Sequence, residues 1–181
     1  MDELGRITPE MYQRMDKLPV VLVLDNIRSM MNTGSVFRTA DAFRLEGIVL
    51  CGFTATPPHR EIHKTALGAT ESVPWAYYKN TTDVVFELKK AGYIIVALEQ
   101  TTASVDLRKF EPAADNKYAF VFGNEVKGVD ETVLEMCDLC LEIPQFGTKH
   151  SLNISVTAGM VVWDFFSKTA QLRSIQTKTK S

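Results

Sequence analysis

The sequence predicts an α/β protein, a parallel β-sheet covered by helices on both faces. Short apolar, β-branched runs carry this first: "VVLVLD" (Val20–Asp25), "GIVLCG" (Gly47–Gly52), "YIIVALE" (Tyr93–Glu99) and "YAFVFG" (Tyr118–Gly123). None alternates apolar with polar residues, so each reads as a strand buried on both sides. Segments with helical spacing alternate with these runs, which is how parallel strands are joined. The 181 residues hold no repeat, low-complexity tract or interior linker. That length suits one domain with a sizeable core.

From the N-terminus, "TPEMYQRMDKL" (Thr8–Leu18) reads as a short helix with Thr8 as N-cap and Pro9 in its first turn. After the first strand comes "NTGSVFRTADAF" (Asn32–Phe43), on which Val36, Ala40 and Phe43 share a side and Arg38 lies nearly opposite. The strand "GIVLCG" ends at "TPPHR"; "EIHKTALGA" (Glu61–Ala69) is helical and "SVPWAYY" (Ser72–Tyr78) extended. "TTDVVFELKKAG" (Thr81–Gly92) starts with Thr and Asp, ends with two lysines and stops at Gly92, a well-signalled helix. Beyond the last two apolar runs, "DETVLEMC" (Asp130–Cys137) is a helix and "LCLEIP" (Leu139–Pro144) a strand. "SLNISVTAGMVVWDFFSK" (Ser151–Lys168) is a long, unusually apolar last helix. The single domain thus divides into a helical extension over 1–19, a main body over 20–167 and a basic tail over 168–181.

Apolar residues make up 45 % and charged residues 23 %, as in ordinary water-soluble domains. No apolar stretch approaches the ~20 residues of a membrane span. The charged N-terminus lacks an apolar signal core, which predicts a cytoplasmic protein. Three cysteines, an odd number, fit a reducing compartment better than a disulfide framework. The net charge is −2, yet Lys168, Arg173, Lys178 and Lys180 give the tail +4 with no acid, leaving −6 for the rest. A body this acidic excludes indiscriminate polyanion binding, so contacts with nucleic acid need local patches. The plain alternative for the tail is a frayed, solubilising terminus.

In parallel sheets ligands bind beyond the carboxyl ends of the strands. Three polar, Gly-containing segments follow strands here: "NIRSMMNTGSVFR" (Asn26–Arg38), "GNEVKG" (Gly123–Gly128) and "PQFGTKHSLN" (Pro144–Asn153). The ten glycines never form a G-x-G pair, and no Walker sequence occurs, which argues against dinucleotide and phosphate-loop enzymes. Cys137 and Cys140 have metal-ligand spacing, with His59 and His63 as paper partners. Cys137 ends a helix and Cys140 lies in an apolar strand, however, so core thiols and no metal are expected. His150 beside Ser151 lacks the elbow of a serine nucleophile, leaving Ser151 as a helix cap or a polar contact to a ligand. Glu125 is either a turn glutamate or a carboxylate that holds a cation or a ribose hydroxyl. Asn32 alone is most simply an N-cap, and Arg38 alone a surface ion-pair residue.

Taken in order, "NIRSMMNTGSVFRTADAF", "FVFGNEVKGV" and "LEIPQFGTKHSLNISVTAGM" resemble the three motifs of the SpoU (TrmH-like) branch of the SPOUT RNA methyltransferases. The likeness spans roughly residues 20 to 167. It implies a sheet whose C-terminal part is tied in a deep trefoil knot, a homodimer, and methyl transfer from S-adenosylmethionine to a ribose 2′-hydroxyl in RNA. It implies cofactor contacts at Leu98, Gly123, Ile143, Ser151 and Leu152, with Gly147 letting the backbone turn close to the ligand. It also implies reaction or ribose contacts at Asn32, Arg38, Glu125, Ser151 and Asn153, with the first motif of one chain facing the partner's cofactor. Gly34 would then permit backbone approach to substrate. On the last helix Val156, Met160, Val161, Val162, Trp163 and Phe166 exceed what one buried face needs, which agrees with a dimer surface.

Two departures stand out. Gln145-Phe146 replaces the methionine that relatives more often carry after "IP", at the expected adenine pocket. No added RNA-capture domain is expected, so affinity for bare RNA should be modest and salt-sensitive, with a tRNA loop favoured over rRNA. The rival readings are a non-catalytic RNA-binding or assembly protein that retains the fold, and base methylation as in a sister SPOUT family.

Overall fold

The computed structural model of the chain describes residues 7–148 and 151–179. Helix α1 (Pro9–Arg14) is capped as expected by Thr8, whose hydroxyl accepts from the Met11 amide at 3.3 Å. It does not reach Leu18: Met15 is already extended, and Leu18 opens strand β1 (Leu18–Asp25), paired with Leu45. Pro19 disfavours helical backbone at the residue before it, so the helix must stop short.

Next come α2 (Met30–Ala42), β2 (Leu45–Cys51), α3 (Arg60–Ala66), α4 (Ala69–Ser72), β3 (Trp75–Tyr78), α5 (Thr81–Lys90) and β4 (Tyr93–Leu98). The chain continues through β5 (Val105–Asp106), β6 (Lys117–Phe122), α6 (Glu131–Leu134), β7 (Leu139–Glu142) and α7 (Ile154–Thr179). The seven strands form one sheet in the order β3-β2-β1-β6-β4-β7-β5, every pair parallel. The expected α/β class is what the structure has. The helix expected over Asp130–Cys137 is reduced to the single turn of α6, and β3 lies exposed at the sheet edge rather than covered.

Successive side chains of the central strands feed two cores. Leu22, Leu24, Phe120 and Phe122 pack against Val36, Phe37 and Ala40 of α2 and Ala158, Val161, Val162 and Phe165 of α7. Val21, Val23, Ala119 and Val121 pack on the other face against Val84 and Val85 of α5 and Val133 of α6. Val161 and Val162, expected as part of a dimer surface, therefore belong to the core of their own chain. Val156, Met160, Trp163 and Phe166 do stay exposed, at helical spacing, and Trp163 and Phe166 lean on Phe43 with ring centroids 6.1 and 5.3 Å away.

Lys168, the first residue assigned to the basic tail, is tied into the fold. Its ammonium donates to the Leu107 and Phe110 carbonyls at 2.9 and 2.8 Å and pairs with Asp164 at 2.7 Å. Helix α7 runs on to Thr179, while Lys180 lies outside the described residues. Among the described residues no helix is long and apolar enough to cross a membrane.

Gly34 does not face a ligand space. A Cβ there would stand 2.2 Å from Thr65 Oγ1 and 2.3 Å from the Ile62 carbonyl oxygen, so its missing side chain lets α2 pack on α3. Gly34→Ala would gain about 1 kcal/mol of helix propensity. The clash with a backbone carbonyl, which cannot rotate away, costs about 1–3 kcal/mol. The net expectation is destabilisation by up to about 2 kcal/mol in urea unfolding.

Candidate active site

The strand order sets β1 beside β6, β6 beside β4 and β4 beside β7, so the segments leaving their carboxyl ends gather at one rim. They enclose a cavity of about 610 Å³. Of the sequence-predicted residues, Asn32, Leu98, Gly123, Glu125, Ile143, Ser151, Leu152 and Asn153 line it. Arg38 and Gly147 do not.

Asn32 sits three positions inside α2 rather than at its cap. The cap is Ser29, whose hydroxyl accepts from the Asn32 amide at 3.2 Å and leaves the Asn32 side chain free to turn outward. Glu125 arrives from the loop after β6. Its carboxylate accepts from the Arg28 and Ser29 amides, at 3.0 and 3.1 Å, and from Asn32 Nδ2 at 3.5 Å. The positive end of α2 is therefore closed by a charge brought from far along the chain. Asn32 Oδ1 in turn accepts from Asn153 Nδ2 at 3.1 Å. Asn153, not Ser151, caps α7: its Oδ1 accepts from the Ser155 amide at 2.8 Å and the Ser155 hydroxyl at 2.7 Å. Ser151 is exposed on the cavity wall, and His150 lies outside the described residues. All three polar segments thus meet in one run of hydrogen bonds, Glu125 to Asn32 to Asn153.

The loop carrying Glu125 is built to be rigid. Asn124 and Gly128 exchange backbone hydrogen bonds at 2.9 Å each, and Asn124 Oδ1 accepts from the Val126 and Lys127 amides at 3.0 Å. Asn124 Nδ2 donates to the Asn26 carbonyl at 2.8 Å, locking this loop to the one after β1. Gly123 is obligatory, because a Cβ there would lie 2.2 Å from backbone atoms of Gly128 and Val129.

Burial pushes the Glu125 carboxyl up, but the amides of Arg28 and Ser29 and the Asn32 side chain outweigh it, leaving it below the usual 4.5. A folded-state value below the unfolded one adds stability that is present above the unfolded value and lost as pH falls through the folded one. The thermal midpoint of the wild type should exceed that of Glu125→Gln at about pH 6, and the gap should close on acidification to about pH 3.

Arg38 lies six residues beyond Asn32 on α2, about 9 Å further along the axis and on another side of the helix. It borders a separate depression with Thr39, Phe43, Lys64 and Gly159. Gly147 is exposed, and among the described residues nothing beyond its chain neighbours lies within 4 Å of where a side chain would stand. Sequence reasoning missed Glu99, Gln100, Asn124 and Thr157, which also line the cavity. Their signal was position, since Glu99 and Gln100 follow β4 as Asn124 follows β6.

Among the described residues no group of three His, Cys, Asp or Glu is placed to hold a metal. Cys137 Sγ donates to the Val133 carbonyl at 3.2 Å, and burial pushes its thiol up to about 12. His59 caps α3, its Nδ1 accepting from the Glu61 amide at 3.2 Å.

Residues 19–163 match the model of the SpoU rRNA Methylase family, four-fifths of the chain. The chain belongs to this family. A Staphylococcus aureus protein assigned to the TrmH family of tRNA/rRNA methyltransferases is 34% identical over 151 residues, 83% of this chain and 60% of that protein. The chain thus spans about 60% of the length of the curated relatives it matches. An AdoMet-bound rRNA methyltransferase from Sinorhizobium meliloti superposes with a TM-score of 0.75 at 28% identity, covering 85% of this chain and 61% of that one. The A. aeolicus TrmH/SpoU tRNA modifying enzyme shares the fold, with a TM-score of 0.76 at 24% identity over 86% of this chain and 77% of that one. This SpoU family member therefore carries its three motif segments, far apart in sequence, as one hydrogen-bonded cluster on the cavity rim.

Proposed function

We propose that the chain is an S-adenosylmethionine-dependent RNA methyltransferase that modifies a ribose 2′-hydroxyl, in tRNA rather than rRNA, as a homodimer. The observation that carries this reading is the Glu125–Asn32–Asn153 run, which joins residues 93 and 121 positions apart at the mouth of one cavity. A core has no use for such a cluster. Positioning a polyhydroxylated substrate does.

The cavity suits the cofactor. Its volume, about 610 Å³, falls within the range of small-molecule sites. Leu98, Ile143 and Leu152 offer apolar walls for an adenine, while Glu99, Glu125 and Glu142 supply the negative field a cationic ligand needs. When bound, S-adenosylmethionine supplies a methyl group on a positively charged sulfur, open to in-line displacement by an alcohol. Asn32, Asn153 and Ser151 then fix the ribose by hydrogen bonds, so that much of the rate comes from alignment. A ribose hydroxyl is too weak an acid to ionise at pH 7, and an arginine stays protonated. Arg38 accordingly clamps the adjacent phosphate and lowers the cost of negative charge on the 2′-oxygen, while a phosphate oxygen or a water accepts the proton.

Arg38 reaches the reacting ribose from a second copy. Phe43, beside Arg38 in its depression, also touches Trp163 and Phe166 of the exposed α7 stripe, so a copy docked on the stripe covers Arg38. The same reading carries the family's trefoil knot, supported by the late strand β7 lying between β4 and β5. A small, shape-read target such as a tRNA loop suits an acidic body that gives little general purchase on RNA.

The test is incubation with labelled cofactor and total RNA from a strain lacking the protein, followed by alkaline hydrolysis. Label in an alkali-resistant dinucleotide supports the proposal. Label in ordinary mononucleotides assigns base methylation, and failure to bind cofactor at millimolar concentration assigns a non-catalytic RNA-binding or assembly protein.

A further inference from the structure

The loop after β7 separates two neighbouring side chains. Gln145 lines the cavity, whereas its neighbour Phe146 is not one of its walls and is 91 % exposed, more than any other large apolar side chain among the described residues. Phe146 is thus no part of the adenine wall expected at this position. Val126, which lines the cavity from the loop that also carries Lys127, is 75 % exposed. A phenyl ring standing in water next to a cavity-lining residue gains free energy when a flat apolar face covers it.

We propose that Phe146 is a stacking platform for the base of the nucleotide whose ribose enters the cavity, an inference that rests on the RNA reading above. The geometry of a nucleotide supports it. The base hangs from C1′, the carbon next to the one that bears the 2′-hydroxyl. A ribose held at Asn32 and Asn153 must therefore carry its base at the cavity rim. Every base has a π-face, so an aromatic ring there holds the target nucleotide without reading its identity. Among the described residues, nothing beyond its chain neighbours lies within 4 Å of a side chain added at Gly147, next to the ring. The α7 stripe is the surface that suits a second copy, which leaves the ring for substrate.

Phe146→Ala is expected to lower kcat/KM for total RNA by about 10- to 100-fold, mainly through KM, with Phe146→Trp retaining the rate to within about threefold. Cofactor affinity by calorimetry and mass by sedimentation should match the wild type in both variants. The new indole in Phe146→Trp also reports stacking directly: its emission should be quenched by a single-stranded oligoribonucleotide and not by an abasic oligomer. That arm judges the ring whether or not methyl is transferred, so wild-type protein that leaves RNA unmodified overturns the proposed function alone. A tenfold loss of cofactor affinity in Phe146→Ala would make the ring a cofactor lid, and a change in mass would make it a subunit contact. Either result, or unquenched emission, overturns the inference.

Discussion

Co-expression of Arg38→Ala with Asn153→Ala chains is expected to restore methyl transfer to about a quarter of the wild-type rate, although each variant alone is nearly inactive. Arg38→Ala should cost about 10²–10³-fold, the usual loss when a donor to developing negative charge is removed. The recovery follows from where the two side chains sit. Asn153 lines the cavity, while Arg38 borders a different depression on the same chain. If each cavity uses its partner's arginine, a mixed dimer has one site with both groups intact and one with neither. Half the dimers are mixed and each has one working site, hence the quarter. An arginine acting within its own chain leaves no mixed dimer with a complete site, and the activity stays at background. Arg38→Lys refines the result: it keeps the charge but loses the two-pronged grip on phosphate, so an intermediate rate fits a clamp and a wild-type rate does not.

The strands were legible because burial on both faces leaves continuous apolar runs, and β1, β2, β4, β6 and β7 all stand where those runs lie. β5 was not, because two residues at a sheet edge carry no pattern. The site was legible as three loops, but the local roles within them were not. Ser29 takes the cap that Asn32 seemed to need, and Asn153 takes the one suited to Ser151. A capping residue is recognised only once the first helical turn is known, and sequence patterns fix helix ends to within a few residues. Gly34 failed for a different reason. A glycine in a helix looks the same in sequence whether a ligand or a neighbouring helix approaches it, and here the neighbour is α3. Arg38 stands exposed, opposite the apolar face of its helix as the spacing predicts, but it borders a different depression, which helical spacing alone does not reveal.

Asn32→Ala and Asn153→Ala are each expected to reduce kcat/KM by about 10²-fold or more, and the double variant to be little worse than either alone. Asn32 is the middle member of the run: its amide nitrogen faces Glu125 and its oxygen faces Asn153. An amide's two ends differ, so Glu125 as a charged acceptor fixes which way Asn32 points. That choice in turn presents the Asn32 oxygen to Asn153, whose own oxygen is already committed to the cap of α7. Removing Asn32 therefore releases Asn153, and removing Asn153 leaves Asn32 oriented but without its contact. Groups that act as one unit lose their function once, not twice, which makes the losses strongly non-additive. Glu125→Gln tests the direction of the chain. It can offer its own N–H to Asn32 and so permit the reversed amide, which predicts a larger loss in rate than in cofactor binding. Multiplying single-variant losses in the double variant would mean that the two asparagines act on separate parts of the substrate.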